Sequence, residues 1–179
     1  MIGHAGSQTA RAVDIIRRAR TFVASGSVSG QRESLESLIE RAVSGIGAIQ
    51  RDCEIVTTVP ANARFVTVDR IQIEQVLTNL LANAIEALDD SIRRRIEITA
   101  RRQVDDVVLC VRDFGPGLSD ETHARLFEPM FTTKHDGSGL GLPICKAIVE
   151  AHDGRLWAER PAGGGAAFCV SLPAADRSV

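Results

Sequence analysis

Apolar residues recur along this chain with two periods, and the switches between them mark its elements. From Gln8 to Ala24, Ala12, Ile15, Ile16, Ala19, Phe22 and Val23 return at helical spacing, with arginines on the remaining surface. The run Ser25 to Gly30 breaks that pattern. A second helix is predicted over Glu33 to Ile49, with Leu35, Leu38, Ile39, Ala42, Val43 and Ile46 on one face. Cys53 to Val59 and Ala63 to Asp69 read as strands around a Pro60-Ala61-Asn62 turn. Asp69 then caps a helix running to about Leu88, with Gln72 placed to complete a capping box. RIEITARR (95–102) and DDVVLCVRD (105–113) alternate with period two and predict a hairpin. A short helix around Thr122 to Phe127 leads into a turn-rich stretch, Glu128 to Ser138. Leu142, Cys145, Ile148 and Val149 mark the buried face of a helix that stops at His152-Asp153-Gly154. GRLWAER and AAFCVSLP close the chain as two strands, and the tail after Pro173 frays.

Helices interspersed with hairpins predict an α+β fold, a mixed β-sheet covered by helices on one face, plus an N-terminal helix. That first helix stands apart, and its apolar stripe wants a second helix as partner. At 179 residues, 44% hydrophobic and 25% charged, the chain suits one soluble domain with a short appendage. A net charge of -2 gives no argument for nucleic acid or an anionic membrane, and 4% aromatic residues without tyrosine speak against base-stacking platforms. Cys53, Cys110, Cys145 and Cys169 each sit in an apolar pattern and read as small core residues, with neither a metal site nor a disulfide expected. No run of 18 apolar residues and no signal-peptide core are present. A cytoplasmic location is expected, and the soluble portion of a membrane-anchored protein would look the same.

Four stretches carry candidate chemistry. Gly137, Gly139 and Gly141 alternate into the helix of Leu142 to Val149, an arrangement in which a helix N-terminus offers unpaired N–H groups to a phosphate. Asn79 and Asn83 lie four apart within NLLANAIEAL and share a helix face. They are either paired or exposed polar groups, or amide oxygens that ligate a hard cation such as Mg²⁺ beside nucleotide phosphates. Asp113-Phe114-Gly115-Pro116-Gly117 places a carboxylate at a strand end next to backbone that a flat ligand can approach. Such an acceptor suits an exocyclic amine, though the same residues also make an ordinary β-turn. In LFEPMFTTK, Phe127, Met130 and Phe131 offer anchors to the domain, while Thr132, Thr133 and Lys134 offer donors and a positive charge.

In order and spacing these stretches resemble the ATP-binding catalytic domain of sensor histidine kinases, within the ATPase superfamily shared with gyrase and related chaperones. NLLANA resembles the asparagine box, DFGPGL the first glycine box, LFEPMFTTK the phenylalanine box and GSGLGL the second glycine box, and GGGAAFCVSLP is similar to the closing strand. The likeness covers about Gln31 to Pro173. It implies a two-layer α/β sandwich, a mixed sheet under three helices, that binds ATP and Mg²⁺. It further implies that Asn83 is the metal ligand, that Asn79 stands near the phosphates, and that Asp113 takes the adenine amine with Gly115 and Gly117 lining the base. Phe131, Thr132, Thr133, Lys134, Gly137, Ser138, Gly139, Leu140 and Gly141 would form the nucleotide lid, which is expected to be mobile.

The resemblance also frames the reaction. Hydrolysing members of the superfamily place a water-activating glutamate one turn before the metal asparagine; Asn79 stands there and cannot act as a general base. Slow hydrolysis and transfer to a histidine are therefore implied. That histidine would lie on a helical hairpin, from which a response-regulator receiver domain takes the group. ARAVDIIRRARTFV is similar to the hairpin's second helix, so residues 1–30 are expected to be a hairpin remnant, with residues 31–179 the ATP-binding domain and the N-terminal helix a route to homodimers. His4, His123, His135 and His152 lack the hairpin context and are not expected to be the acceptor. Glu86, where many such kinases carry lysine, and Ala167, where threonine is common, depart from the pattern. A degenerate nucleotide-binding or protein-interaction module and a serine kinase of the anti-sigma type are the alternatives.

Overall fold

The computed structural model describes residues 30–47, 53–88, 94–134 and 137–176. The Gln8–Ala24 helix, His4 and His135 lie outside the described residues. Within the described residues, seven strands and four α-helices follow in the order β1 (Gln31–Ser34), α1 (Leu35–Gly45), β2 (Glu54–Thr58), β3 (Phe65–Val68), α2 (Arg70–Glu86), β4 (Arg95–Gln103), β5 (Asp106–Asp113), α3 (Asp120–Arg125), α4 (Gly141–Ala151), β6 (Arg155–Glu159) and β7 (Ala167–Pro173). Strands β2-β4-β5-β7-β6 form one mixed sheet, with β2 parallel to β4 and every other pair antiparallel. Strands β1 and β3 form a separate antiparallel pair.

Strand alternation sends one set of residues to each face of the sheet. Ile96, Ile98 and Ala100 of β4, Val107, Leu109 and Val111 of β5, Leu156 of β6, and Phe168, Val170 and Leu172 of β7 are buried. They share one apolar cluster with Leu38 and Ile39 of α1, Leu77, Leu80 and Leu81 of α2, and Cys145, Ile148 and Val149 of α4. The expected two-layer sandwich is therefore present, three helices over one face of a mixed sheet.

Three expectations are corrected. First, the helix predicted from Glu33 begins at Leu35, because Gln31–Ser34 is a strand. Ser34 caps α1 by accepting from Ser37 N–H, and Arg32 lies 3.5 Å from the Phe65 ring centroid across the β1–β3 pair. Second, the two strands flanking Pro60 do not pair with each other: β2 runs beside β4, whereas β3 pairs with β1. Third, Cys110 and Cys169 are joined by a disulfide. They are direct partners across the β5–β7 ladder, on the helix-free face and 59 residues apart in sequence, so the juxtaposition comes from register and not from spacing. Cys145 is buried in the core as expected.

The β4–β5 hairpin closes through Val104 and Asp105, between the paired Gln103 and Asp106. Val104 has φ 53° and is 84% exposed, a β-branched residue in left-handed backbone.

Candidate functional site

Helix α2 starts at Asp69, whose Oδ1 accepts from Gln72 N–H at 3.1 Å. The reciprocal half of the expected capping box is made by a different residue. His152, at the end of α4 and buried, accepts from Asp69 N–H through Nε2 at 3.0 Å and donates from Nδ1 to Ile148 C=O at 2.7 Å. Both imidazole nitrogens are thereby used by the neutral ring, which ties the start of α2 to the end of α4. His152 stands at the helix end, as its position in the sequence predicts, and its side chain is buried there. His123 is likewise bonded, with Nε2 3.2 Å from Ala158 C=O of β6.

Val76, Leu77, Leu80, Leu81 and Ala84 make the buried stripe of α2. Asn79 and Asn83 are half-buried beside it, and Glu86 is exposed a turn further on. The spacing of four and then three residues runs all three along one edge of the helix.

β5 brings the second group. In the series Val107, Leu109, Val111, Asp113, parity alone directs the aspartate to the core side, and Asp113 is 2% exposed. A buried carboxylate needs donors. Its Oδ1 accepts from Gly115 N–H at 2.9 Å and from Ala166 N–H at 3.2 Å. Burial pushes the Asp113 carboxyl above the ordinary aspartate range, while these backbone bonds and Arg112 oppose the shift. Glycine is required at 115: a Cβ there would stand 2.5 Å from the Ala87 carbonyl oxygen, so the missing side chain lets the loop lie on the end of α2. Ala166, on the β6–β7 side, supplies its bond through the backbone and was not predicted, because any residue but proline offers an N–H.

The third group is the segment after α3. Phe127 packs partly on the core, and Phe131 stacks under Arg125 at 4.3 Å. Met130 is 79% exposed, so it is not the anchor its apolar character suggested. Met130 N–H donates to Gly139 C=O at 3.0 Å, which closes the segment on itself. Gly139 has φ 65°, and a Cβ there would meet Met130 backbone at 2.4 Å. Thr132 Oγ1 accepts from Lys134 N–H at 3.1 Å. Lys134 Nζ reaches α2, donating to Asn83 Oδ1 at 2.8 Å and pairing with Glu86.

The fourth is the start of α4. Leu140 caps it without a side-chain hydrogen bond, Gly141 is its first residue, and Pro143 sits in the first turn, where a missing N–H costs no helical bond. Among the described residues, the predicted groups therefore fall in two connected places. Asn83 and Lys134 are in direct contact, and Asp113 and Gly115 are joined to the end of α2 through Ala87. Thr132, Thr133 and Ser138 are exposed on the Lys134 segment. Gly117 packs beside Gly165, whose carbonyl a Cβ would approach to 3.0 Å.

A groove of about 560 Å³ on the helix-free face, lined by Arg101, Asp106, Arg155 and Trp157 among others, lies across the sheet from these groups, with charges of both signs. No cluster of three or more His, Cys, Asp or Glu side chains suited to a metal ion exists among the described residues. An oxygen-ligated cation shared with phosphates would need only Asn83 from this set, and the Asn83 amide oxygen already holds a cation, the Lys134 ammonium.

The helix-covered mixed sheet thus carries at its rim an asparagine-bearing helix, a buried strand-end aspartate and a glycine-bounded loop. The chain belongs to the family described as histidine kinase-, DNA gyrase B-, and HSP90-like ATPase, which residues 68–176 match. It is 43% identical over 180 aligned positions to the sensor protein FixL of Bradyrhizobium diazoefficiens, covering 99% of this chain and 36% of that protein. It is 38% identical over 172 positions to the C4-dicarboxylate transport sensor protein DctS of Rhodobacter capsulatus, covering 94% of this chain and 26% of that protein. The solved catalytic domain of the histidine kinase ThkA superposes with a TM-score of 0.70 at 32% identity, covering 81% of this chain and 95% of its own. The chain thus spans 26% to 36% of these two curated relatives and corresponds to the ATPase catalytic domain of sensor histidine kinases. No helix among the described residues is long and apolar enough to cross a membrane.

Proposed function

We propose that this chain binds Mg²⁺–ATP and transfers the γ-phosphoryl group to a histidine on a helical hairpin, from which an aspartate of a response-regulator receiver domain takes it. The observation that carries the reading is the convergence of Asn83 and Lys134 on one side of the rim and buried Asp113 on the other. Asp113 Oδ1 is occupied by two backbone N–H groups, which leaves Oδ2 to accept the exocyclic amine of adenine beside Gly115 and Gly117. Leu140 caps the start of α4 without a side-chain bond of its own, and the unpaired N–H groups of that first turn suit the phosphate end. Thr132, Thr133, Lys134, Gly137 and Ser138 close over that end, with Phe131 as the hinge-side anchor. Asn83 would hold a Mg²⁺ through the second lone pair of the amide oxygen that accepts from Lys134, and the ion would supply charge neutralisation at the phosphates.

Asn79, one turn before Asn83, is an amide and takes no proton from water. The site therefore holds ATP for an external nucleophile. A histidine ring nitrogen attacks the γ-phosphorus, the bond to the β–γ bridging oxygen breaks, and ADP leaves with that electron pair. In this reading residues 1–30 are the second helix of the hairpin and pair two copies of the parent. Residues 31–179 are the ATP-binding domain, working on the cytoplasmic side of a parent that is free or membrane-anchored.

Calorimetric titration of Mg²⁺–ATP into the chain, beside Asn83→Ala and Asp113→Ala, tests the site. The parent binds, and each variant weakens binding by about tenfold or more, the worth of one lost charge-assisted hydrogen bond or metal contact. A folded parent that binds no nucleotide ends the proposal. Adding a histidine-bearing hairpin and ATP labels histidine. Labelling on a partner's serine instead, or rapid multiple-turnover hydrolysis, contradicts the roles given to the hairpin and to Asn79.

A further inference from the structure

Glu86 has no part in the scheme above, yet it is the residue that Lys134 pairs with. The two are 48 positions apart, and their side chains are 54% and 43% exposed, so no core packing brings them together. Lys134 belongs to a segment whose other hydrogen bonds are local, within itself or to Arg125 at the end of α3. Lys134 to Asn83 and Lys134 to Glu86 are the hydrogen bonds that carry this segment to α2 among those described. A lysine has four rotatable stem bonds and a compact charge that goes wherever acceptors place it. Here two acceptors on adjacent turns of α2 place it at the Asn83 amide oxygen.

We infer that Glu86 is a positioning residue for Lys134: it holds the ammonium beside Asn83, so that the cation meeting the β- and γ-phosphates is delivered from the segment after α3 and not from α2. This rests on the nucleotide-site reading and adds to it a role for an acidic residue beside a polyanion site. The sign of that role is informative. If Glu86 acted only through its own negative charge, removing it would strengthen binding of a polyphosphate. If it acts by placing Lys134, removing it weakens binding, and only while Lys134 is present.

The test is a double-mutant cycle read by calorimetric titration with the magnesium complex of the non-hydrolysable β,γ-imido analogue of ATP, and separately with AMP. Lys134→Ala weakens the triphosphate analogue by about tenfold, the loss of a hydrogen bond to a charged group, and leaves AMP unchanged. Glu86→Gln weakens the analogue by about threefold in the parent and has no effect in the Lys134→Ala background. Both side chains are half-exposed, and circular dichroism and melting of the variants match the parent. Stronger or unchanged binding of the analogue by Glu86→Gln overturns the inference. So does an equal effect of Glu86→Gln with and without Lys134, or a loss shared by AMP. A folded parent that binds neither ligand removes the nucleotide-site reading itself, and the inference falls with it. A parent that binds both, with an uncoupled cycle, removes the inference alone.

Discussion

The β5–β7 ladder and the segments 126–134 and 137–140 are built by opposite means. The ladder pairs seven residues of each strand in continuous register from Asp106↔Pro173 to Arg112↔Ala167, buries Leu109, Val111, Val170 and Leu172, and is crosslinked by Cys110–Cys169. The Lys134 segment buries Leu126, packs Phe127 partly, exposes Met130, and is otherwise held by single hydrogen bonds, cation–π contacts and two half-exposed ion pairs, Arg125–Glu128 and Lys134–Glu86. Apolar burial and repeated backbone bonds make the first region the seat of stability. Surface ion pairs contribute little to folding, so the second region spends its charged groups on position. Asp113 belongs to both, as the last residue of β5 and a member of the site. A change in the ladder should therefore move unfolding without moving affinity, and a change at the rim should do the reverse.

The largest expected effect is on the ladder. Reducing the Cys110–Cys169 bond frees a loop of about 60 residues in the unfolded chain and lowers stability by about 2–4 kcal/mol. Denaturant unfolding with and without reductant measures it. The strands keep their partners, so Mg²⁺–ATP affinity of the still-folded protein stays within twofold; a parallel loss of affinity would break the separation of the two regions.

Asp113 sharpens the comparison from its boundary. Its carboxyl titrates above the ordinary aspartate range because burial disfavours the charge. If Asp113 takes the amine of adenine as proposed, binding needs the carboxylate, so affinity falls as pH drops through that raised value, earlier than for an exposed aspartate. The folding contribution has the opposite sign: a group whose folded value is raised favours the fold at low pH, and that contribution is lost as pH rises from the unfolded value through the folded one. Affinity titrations from pH 7 downward, and denaturant unfolding over the same range, in the parent and in Asp113→Asn check the two in turn. The variant keeps an oxygen for the Gly115 and Ala166 N–H groups, binds about tenfold more weakly at pH 7, and loses the acid-side dependence. An unchanged dependence assigns it to another group.

The smallest effect lies at the far hairpin. Val104→Gly relieves left-handed backbone at an exposed turn and raises stability by about 1 kcal/mol with no change in nucleotide affinity. Thermal melting detects the shift, and a lower melting temperature would mean that the valine earns its place by a contact.

Much of this was open to reading from local pattern. The α2 stripe, the β4–β5 hairpin, the β6–β7 pair and the N-cap at Asp69 depend on residues close in the chain, joined within one helix, one turn or one hairpin. The Asn79, Asn83, Asp113 and glycine positions were legible because their chemistry is unusual where it occurs: amides at helical spacing, a carboxylate closing an apolar strand, glycines opening a helix. Glu86 was visible only as a departure from pattern, and its partner emerged with the fold. Ala166 carried no signal, since its contribution is a backbone N–H. Met130 misled because an apolar residue in a loop looks like an anchor until its surroundings are known.

The sequence by itself determined most of the helices and strands, though not β1, together with the layered class of fold and four candidate stretches for a site, because periodicity and side-chain chemistry are local properties. Only the tertiary structure decided who pairs with whom: β1 with β3, β2 with β4, Cys110 with Cys169, His152 with Asp69, and Lys134 with Asn83 and Glu86. Each of those pairs joins residues roughly 30 to 80 positions apart. Their meeting is set by how sheet register and helix packing bury the core as a whole, and nothing in the neighbouring residues records it.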